Sequence, residues 1–321
     1  MKNWRLASYF ILVPLVNSSF FIPHSSLKMI PESELILNPD GSVYHLNLLP
    51  DHISDTILTV GDPARVAQVS RHFDSIEFET THREFVTHVG YYRGKRLTVL
   101  STGMGTDNID IVMNELDALV NIDFLAREVR PADERMGLRI IRLGTSGSLQ
   151  ADVPVGTMLA TEHAVGLDSL MQFYPLMETG LETEIATEIQ QTLALPFAPY
   201  VVRGSDLLRE QLGAGMAVGN TLTCPGFYGP QGRRLRLDLR QPDYIERLQR
   251  FRHQSAEGEF RLSNFEMETA GYYALGRLLG HEVLSLNAIV ANRATGEFAE
   301  NAGGIVDAMI ERTLQQLVAI S

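Results

Sequence analysis

The chain has 321 residues, 45% of them hydrophobic and 21% charged, enough for a full core of ordinary globular composition. Its 27 Lys and Arg against 39 Asp and Glu leave a formal charge of −12, which argues against a polyanion-binding surface, since nucleic-acid affinity rests on basic contacts. One cysteine, Cys224, excludes an internal disulfide framework and a cysteine-based zinc cluster, and it is read as structural.

Along the chain, Lys2 and Arg5 precede an apolar run from Tyr9 to Val16. That outline resembles a signal peptide, but the run is too short to span a bilayer and contains Pro14. Residues 1–29 are therefore expected to be an extension (mis-started, disordered or signal-like), with one domain over 30–321. No other segment has the apolar length to cross a membrane, and the expected compartment is the cytoplasm.

Thr56-Ile57-Leu58-Thr59-Val60 reads as a strand ending at Gly61-Asp62-Pro63, with helical spacing through Val66, Val69 and Phe73. Phe85 to Leu100 alternates as two strands turning near Arg93-Gly94. Ser101-Thr102-Gly103-Met104-Gly105-Thr106 leads into an amphipathic helix marked by Ile109, Val112, Met113, Leu116, Leu119 and Val120. Ala126 to Gly137 is charged and reads as an exposed loop. Leu138 to Leu143 is another strand, expected to end at Gly144-Thr145-Ser146-Gly147. Helical segments near Thr183–Leu193 and Tyr244–Arg252, a strand at Val283–Val290 and a closing helix from about Gly304 to Leu317 complete a layered α/β pattern.

Three of these strands run into small-residue turns. In open α/β sheets ligands gather at the carboxyl ends of strands, where glycine lets backbone N–H groups approach an anion. For one such turn the simpler reading is that glycine supplies positive φ. Arginine near two of them, Arg65 and Arg142, adds a guanidinium fork that matches phosphate oxygens. The dinucleotide fingerprint and the P-loop are both missing, so a small oxyanion is expected rather than a dinucleotide.

Two further clusters are ambiguous alone. Glu266 and Glu268 in Asn264-Phe265-Glu266-Met267-Glu268-Thr269-Ala270 share one face of an extended segment and suit the hydroxyls of a ribose. Equally, both acids favour the start of a helix through Tyr273 and Leu278. In Phe227-Tyr228-Gly229-Pro230-Gln231-Gly232-Arg233, an amide and a guanidinium suit a heterocycle edge, with Phe227 to stack on it. The alternative is a turn followed by a solvated basic run, Arg233-Arg234-Leu235-Arg236.

In combination the chain resembles the nucleoside phosphorylase family, and its uridine phosphorylase branch most. The resemblance rests on Gly61-Asp62-Pro63-Ala64-Arg65, Thr81-His82-Arg83-Glu84-Phe85, Ser101 to Gly105, Arg142 to Gly147 and Phe265 to Ala270, in order and spacing. Tyr44-His45-Leu46 and Val290-Ala291-Asn292-Arg293 extend it over roughly Tyr44 to the C-terminus. It implies an α/β fold, a three-layer α/β/α sandwich with a central mixed, twisted sheet.

It further implies that Gly61, Arg65, Arg142 and Thr145 hold phosphate, with Arg83 reaching in from a neighbouring subunit. Met267 and Glu268, supported by Glu266, would bind the ribose, and His45 of the neighbour would meet the 5′-hydroxyl. Ser146, Phe227, Gln231 and Arg233 would meet the base. Arg65, Arg142, Thr145 and Arg233 would carry the catalysis. The implied reaction is reversible phosphorolysis of uridine and related pyrimidine nucleosides to uracil and ribose 1-phosphate.

Inorganic phosphate would be co-substrate, with no organic cofactor or catalytic metal; Glu84 suits a monovalent-cation site or a salt bridge at a subunit interface. A homo-oligomer follows, a dimer at least and a hexamer as the larger option. His82 and His163 are expected to serve packing. Gly229-Pro230 reverses the order of the uridine enzymes, and the loop Ala126–Gly137 is longer than in compact relatives. Purine-specific relatives carry an aspartate near the strand that here runs into Asn292-Arg293, which favours pyrimidine. The rival readings are a purine nucleoside phosphorylase or nucleosidase of the same fold, or a non-catalytic nucleoside-binding protein.

Overall fold

The structure, a computed structural model, describes residues 29–319, so nearly all of the N-terminal extension lies outside it. The first strands are β1 (Thr56–Val60), β2 (Ser75–His82), β3 (Phe85–Tyr92) and β4 (Lys95–Ser101), with α1 (Pro63–Ser70) after β1. Asp62 caps α1 by accepting from the Ala64 N–H, and Pro63 occupies a position where no N–H is needed. The expected β3–β4 turn is present, with both Arg93 and Gly94 at positive φ. β2 gives no clear sequence signal because it is an edge strand with a largely exposed side-chain pattern.

Next come α2 (Thr106–Asn121), the short pair β5 (Ile122–Asp123) and β6 (Glu128–Val129), β7 (Arg139–Ser148) and β8 (Met158–Gly166). The β5–β6 pairing folds back the start of the charged loop expected over 126–137. The chain continues through α3 (Gly180–Thr192), β9 (Tyr200–Arg203), α4 (Asp206–Leu212), β10 (Ala217–Thr223), α5 (Tyr244–Arg250), β11 (Arg252–Ser255) and β12 (Gly258–Glu266). It ends with α6 (Thr269–Leu279), β13 (Glu282–Asn292), β14 (Glu297–Phe298) and α7 (Ala302–Ala319).

Neighbouring residues of the central strands point to opposite faces. Ile57, Leu100 and Ile140 pack with Ile109, Val112 and Met113 of α2 and Tyr272 and Tyr273 of α6. Leu58, Val99 and Ile141 face the other way, against Val66 of α1, Leu208 of α4 and Met309 and Ile310 of α7. Helices therefore cover both faces of a mixed sheet, as expected.

The sheet order is β11-β12-β10-β8-β13-β7-β1-β4-β3-β2, with β9 added to β8 and β14 to β13. Its β12 end does not stay open. Asn264 and Phe265 of β12 pair antiparallel with Ser148 and Gly147 of β7, so β7, β13, β8, β10 and β12 close into a ring. This curl was not legible from element order, because it depends on one pairing between segments far apart in sequence.

One expectation is corrected. β7 does not end at Gly144 but continues to Ser148, pairing with β13 through the whole Gly144-Thr145-Ser146-Gly147 segment. Gly144 is needed there for space rather than for a turn: a Cβ would run into the guanidinium of Arg142. At Gly147 a Cβ would press on the Phe265 ring at 3.1 Å. Gly144→Ala should therefore lower the free energy of unfolding by about 1–3 kcal/mol through overpacking, read from urea titration. An unchanged midpoint would mean that the guanidinium is not held over this glycine.

Candidate active site

A cavity of about 560 Å3 opens where the glycine segment of β7 meets the ends of β1, β4 and β12. Gly61, Arg65, Arg142, Thr145, Ser146, Phe227, Gln231, Arg233, Glu266, Met267 and Glu268 all line it. These sequence-predicted residues come from strand ends and loops spread over most of the chain, and the fold brings them to one place.

The centre of the site is Arg142. It is 6% exposed, and its Nη2 meets Glu268 Oε2 at 2.5 Å and Glu266 Oε2 at 2.9 Å. Its Nη1 donates to Asn287 Oδ1 at 3.1 Å and Ser285 Oγ at 3.3 Å. Burial works against the charge of Arg142, but the two carboxylates outweigh it and hold the guanidinium ionised. Burial pushes the Glu268 carboxyl above its usual range, against the pull of Arg142, and neighbouring Glu266 adds to the rise. One cation serves two buried acids.

The acids divide their work. Glu266 accepts from Thr223 Oγ1 at 2.7 Å and from the backbone N–H groups of Glu268 and Thr269, anchoring the first turn of α6. Glu268 accepts from the Gly105 N–H at 2.9 Å. The helix-start reading is realised in Glu266, and the two acids also share Arg142 as a partner. Glu266 has little capacity left for a ligand, whereas Glu268 and the half-buried Met267 border the open cavity.

On the other side of Arg142, Arg65 projects from the first turn of α1, with Nη1 3.4 Å from the Leu143 carbonyl. Burial lowers its pKa, with Asp62 opposing and Arg142 adding to the fall. Two guanidinium groups thus line the cavity together with Gly61 and Thr145, near the start of α1. The third arginine, Arg83, does not line this cavity. It is exposed, at positive φ, with its guanidinium 5.2 Å from the Tyr44 ring centre.

His45 sits beside it, also off the cavity, with Nδ1 2.6 Å from Glu115 Oε1. Glu115 also accepts from the His45 and Leu46 N–H groups, a role no sequence signal revealed because the acid lies 70 residues away on α2. His82, expected to pack, contacts the His45 carbonyl through Nδ1 at 2.9 Å. His163 is buried beside Phe260, as a packing residue should be.

Phe227, Gln231 and Arg233 form the remaining wall. The Arg233 guanidinium stacks 3.7 Å from the Phe227 ring centre, and its Nη1 donates to Gln231 Oε1 and the Phe227 carbonyl. Burial and nearby Arg293 both lower its pKa. Arg293, quoted in the sequence only as part of a motif, proves to hold this loop: it donates to the Gln231 and Gly232 carbonyls at 3.0 and 3.2 Å. Gln231 itself is buried in spite of the Gly229-Pro230 order, and those residues start a short 3-10 turn that carries it.

Glu84 borders the cavity. Among the described residues no group of three or more His, Cys, Asp or Glu gathers as a metal site. No helix among them is long and apolar enough to cross a membrane. Cys224 is fully buried, and burial pushes its thiol well above the usual range.

The sequence profile of the phosphorylase superfamily matches residues 55–319. A uridine phosphorylase of Thermococcus kodakarensis is 30% identical over 81% of this chain and 81% of its own. A DeoD-type purine nucleoside phosphorylase of Streptococcus suis is 26% identical over 86% of this chain and 98% of its own. Among solved structures, a Trypanosoma brucei nucleoside phosphorylase described as showing uridine phosphorylase activity superposes with a TM-score of 0.82. It is 29% identical, covering 89% of this chain and all of that one.

Replacing Arg142 by glutamine would strand two buried carboxylates, at a cost of about 3–5 kcal/mol. The sign with pH follows from the raised acid. A buried Glu protonates more readily in the folded than in the unfolded chain, so its neutral form favours folding at low pH and that contribution is lost as pH rises. The deficit of Arg142→Gln against wild type should therefore be largest at neutral pH and shrink towards pH ~5. A pH-independent deficit in denaturant titrations would show that the carboxylates are not its cause.

Proposed function

The chain belongs to the phosphorylase superfamily, and from that premise we propose that it cleaves uridine by phosphate to uracil and ribose 1-phosphate. The observation that carries this reading is the joining of three kinds of group in one cavity. Arg65, Gly61 and Thr145 form an anion cradle, Met267 and Glu268 offer a sugar acceptor edge, and Phe227, Gln231 and Arg233 offer a stacking face with amide and guanidinium donors.

Breaking the N-glycosidic bond while phosphate adds to the anomeric carbon passes through an oxocarbenium-like state, as in other glycosyl transfers. Phosphate has to lie in line beneath the sugar, which two cavity arginines and backbone donors arrange. Glu268 accepts from the ribose hydroxyls. When it turns to them, one hydrogen of Arg142 Nη2 is freed towards the phosphate while the other stays with Glu266. Negative charge growing on the carbonyl oxygens of the leaving uracil meets the Arg233 guanidinium. No protein nucleophile is required.

A pyrimidine is favoured over a purine because the base wall presents Gln231 and Arg233 rather than a carboxylic acid able to protonate a purine ring nitrogen. The uridine phosphorylase relatives support the same choice. Purine enzymes at similar identity make inosine and adenosine the necessary comparison substrates.

His45 and Arg83 stand side by side outside their own cavity, which suits delivery to the cavity of a second copy. The working unit is then a homo-oligomer with shared sites, a dimer at least. Glu84, near the same border, is the candidate for a bound monovalent cation or an interface ion pair.

Uracil should be released from uridine only when inorganic phosphate is present, with ribose 1-phosphate as the second product. Release without phosphate would indicate hydrolysis, and turnover of inosine alone would move the reading to purines. Arg83→Ala should lose phosphate use by about 100-fold while keeping its fold. If the arginine acts in trans, unfolding Arg83→Ala and Glu268→Gln chains together and refolding the mixture should restore activity that neither has alone. Failure of the mixture to exceed its components would defeat the shared site.

A further inference from the structure

The ring of strands carries a continuous line of buried polar side chains, one from each strand in turn. Arg142 Nη1 of β7 donates to Asn287 Oδ1 of β13 at 3.1 Å. Asn287 Nδ2 donates to Thr161 Oγ1 of β8 at 3.1 Å. Thr161 and Thr221 of β10 share a hydroxyl–hydroxyl bond at 2.7 Å. Thr221 Oγ1 donates to Asn264 Oδ1 of β12 at 2.9 Å. Asn264 Nδ2 donates to Ser146 Oγ, back on β7, at 2.8 Å. Thr161, Thr221, Asn264 and Asn287 are fully buried, and only Ser146 and Arg142 at the two ends reach the cavity.

The directions start from the charge of Arg142. A guanidinium has donors only, so Asn287 must turn its oxygen to Arg142 and its amide nitrogen to Thr161 and Ser285. Thr161 accepts from Asn287, and among the described residues Thr221 is the side-chain partner left to take its hydrogen. Thr221 then has its own hydrogen left for Asn264, which fixes that amide with oxygen towards Thr221 and nitrogen towards Ser146. Each step leaves the next group one choice.

We infer that the Ser146 hydroxyl is an obligate hydrogen-bond donor into the cavity, oriented by a one-way relay from Arg142 through Asn287, Thr161, Thr221 and Asn264. The oxygen of Ser146 accepts from within, so its hydrogen points outward to an acceptor oxygen of the bound nucleoside. Chained bonds of this kind polarise one another, and a cation at the head strengthens the donor at the tail. The four intermediate residues are positioning residues. They couple the anion end of the cavity to the nucleoside end, and this functional part rests on the phosphorolysis reading above.

Two measurements on the full chain test it. Neutron diffraction from perdeuterated, ligand-free crystals reads the relay whatever the reaction is. Deuterons are expected on Thr161 Oγ1 towards Thr221, on Thr221 Oγ1 towards Asn264, and on Ser146 Oγ away from Asn264. A Ser146 deuteron directed at Asn264 would overturn the inference.

A double-mutant cycle then reads its use. Ser146→Ala should lower kcat/KM for uridine by about tenfold, the loss of one good hydrogen bond, with less effect on the KM for phosphate. The isosteric Thr221→Val should lower it in the same direction, and Ser146→Ala with Thr221→Val should be no worse than Ser146→Ala alone. Thr161→Val gives the same comparison if Thr221→Val folds poorly. Independent, additive losses would defeat the coupling. A wild-type protein inert towards uridine would defeat the proposed function, and the deuteron positions would then decide the relay by themselves.

Discussion

A single buried guanidinium organises this molecule. Arg142 lies between Glu266 and Glu268, with its second terminal nitrogen on Asn287 and Ser285. An unpaired charge at that depth would cost several kcal/mol, so the surroundings have to be built to answer it. Gly144 is bare so that the side chain can fold back over its own strand. The first turn of α6 is presented so that two acids arrive two residues apart, one at the end of β12 and one at the helix start.

The same arrangement explains how a protein with a formal charge of −12 can be expected to hold an anion. Net charge acts at long range and is screened within about 8–10 Å at ordinary ionic strength. Inside the cavity the local count matters instead. There Arg65, Arg142 and Arg233 face Glu84, Glu266 and Glu268, with Glu266 committed to backbone donors and to Arg142. In the proposed reaction, a sugar that takes Glu268 onto its hydroxyls would change that balance in favour of an incoming phosphate. That proposal would link sugar and anion binding through one side chain.

Closure of the sheet at its β12 end has a comparable consequence. An open edge would leave the polar side chains of β8, β10 and β12 facing solvent or a covering loop. The β12–β7 pairing instead lets Thr161, Thr221, Asn264 and Asn287 satisfy one another in a buried chain. Such a network is tolerable only when every member is satisfied, and satisfied networks specify one geometry. The loop that carries Gln231 and Arg233 receives its own support from Arg293, whose guanidinium holds two of its carbonyls.

Much of this was legible in the chain itself. β1, the β3–β4 hairpin, α2, β13 and α7 follow from periodicity, because a strand buried on both faces and an amphipathic helix each impose a local pattern. The candidate cavity residues were legible too, since short motifs with glycine, arginine and paired acids carry their chemistry in neighbouring positions. Tertiary structure alone decided the rest. Glu115 under His45, Asn287 under Arg142 and Arg293 under the Gln231 loop are ordinary polar residues until the fold places a partner against them. The glycines of β7 look like a turn, yet they clear space for a guanidinium and a phenyl ring. Local pattern records what a segment does with its own backbone; closure of the ring and the pairing of buried charge depend on contacts between segments that the sequence does not set side by side.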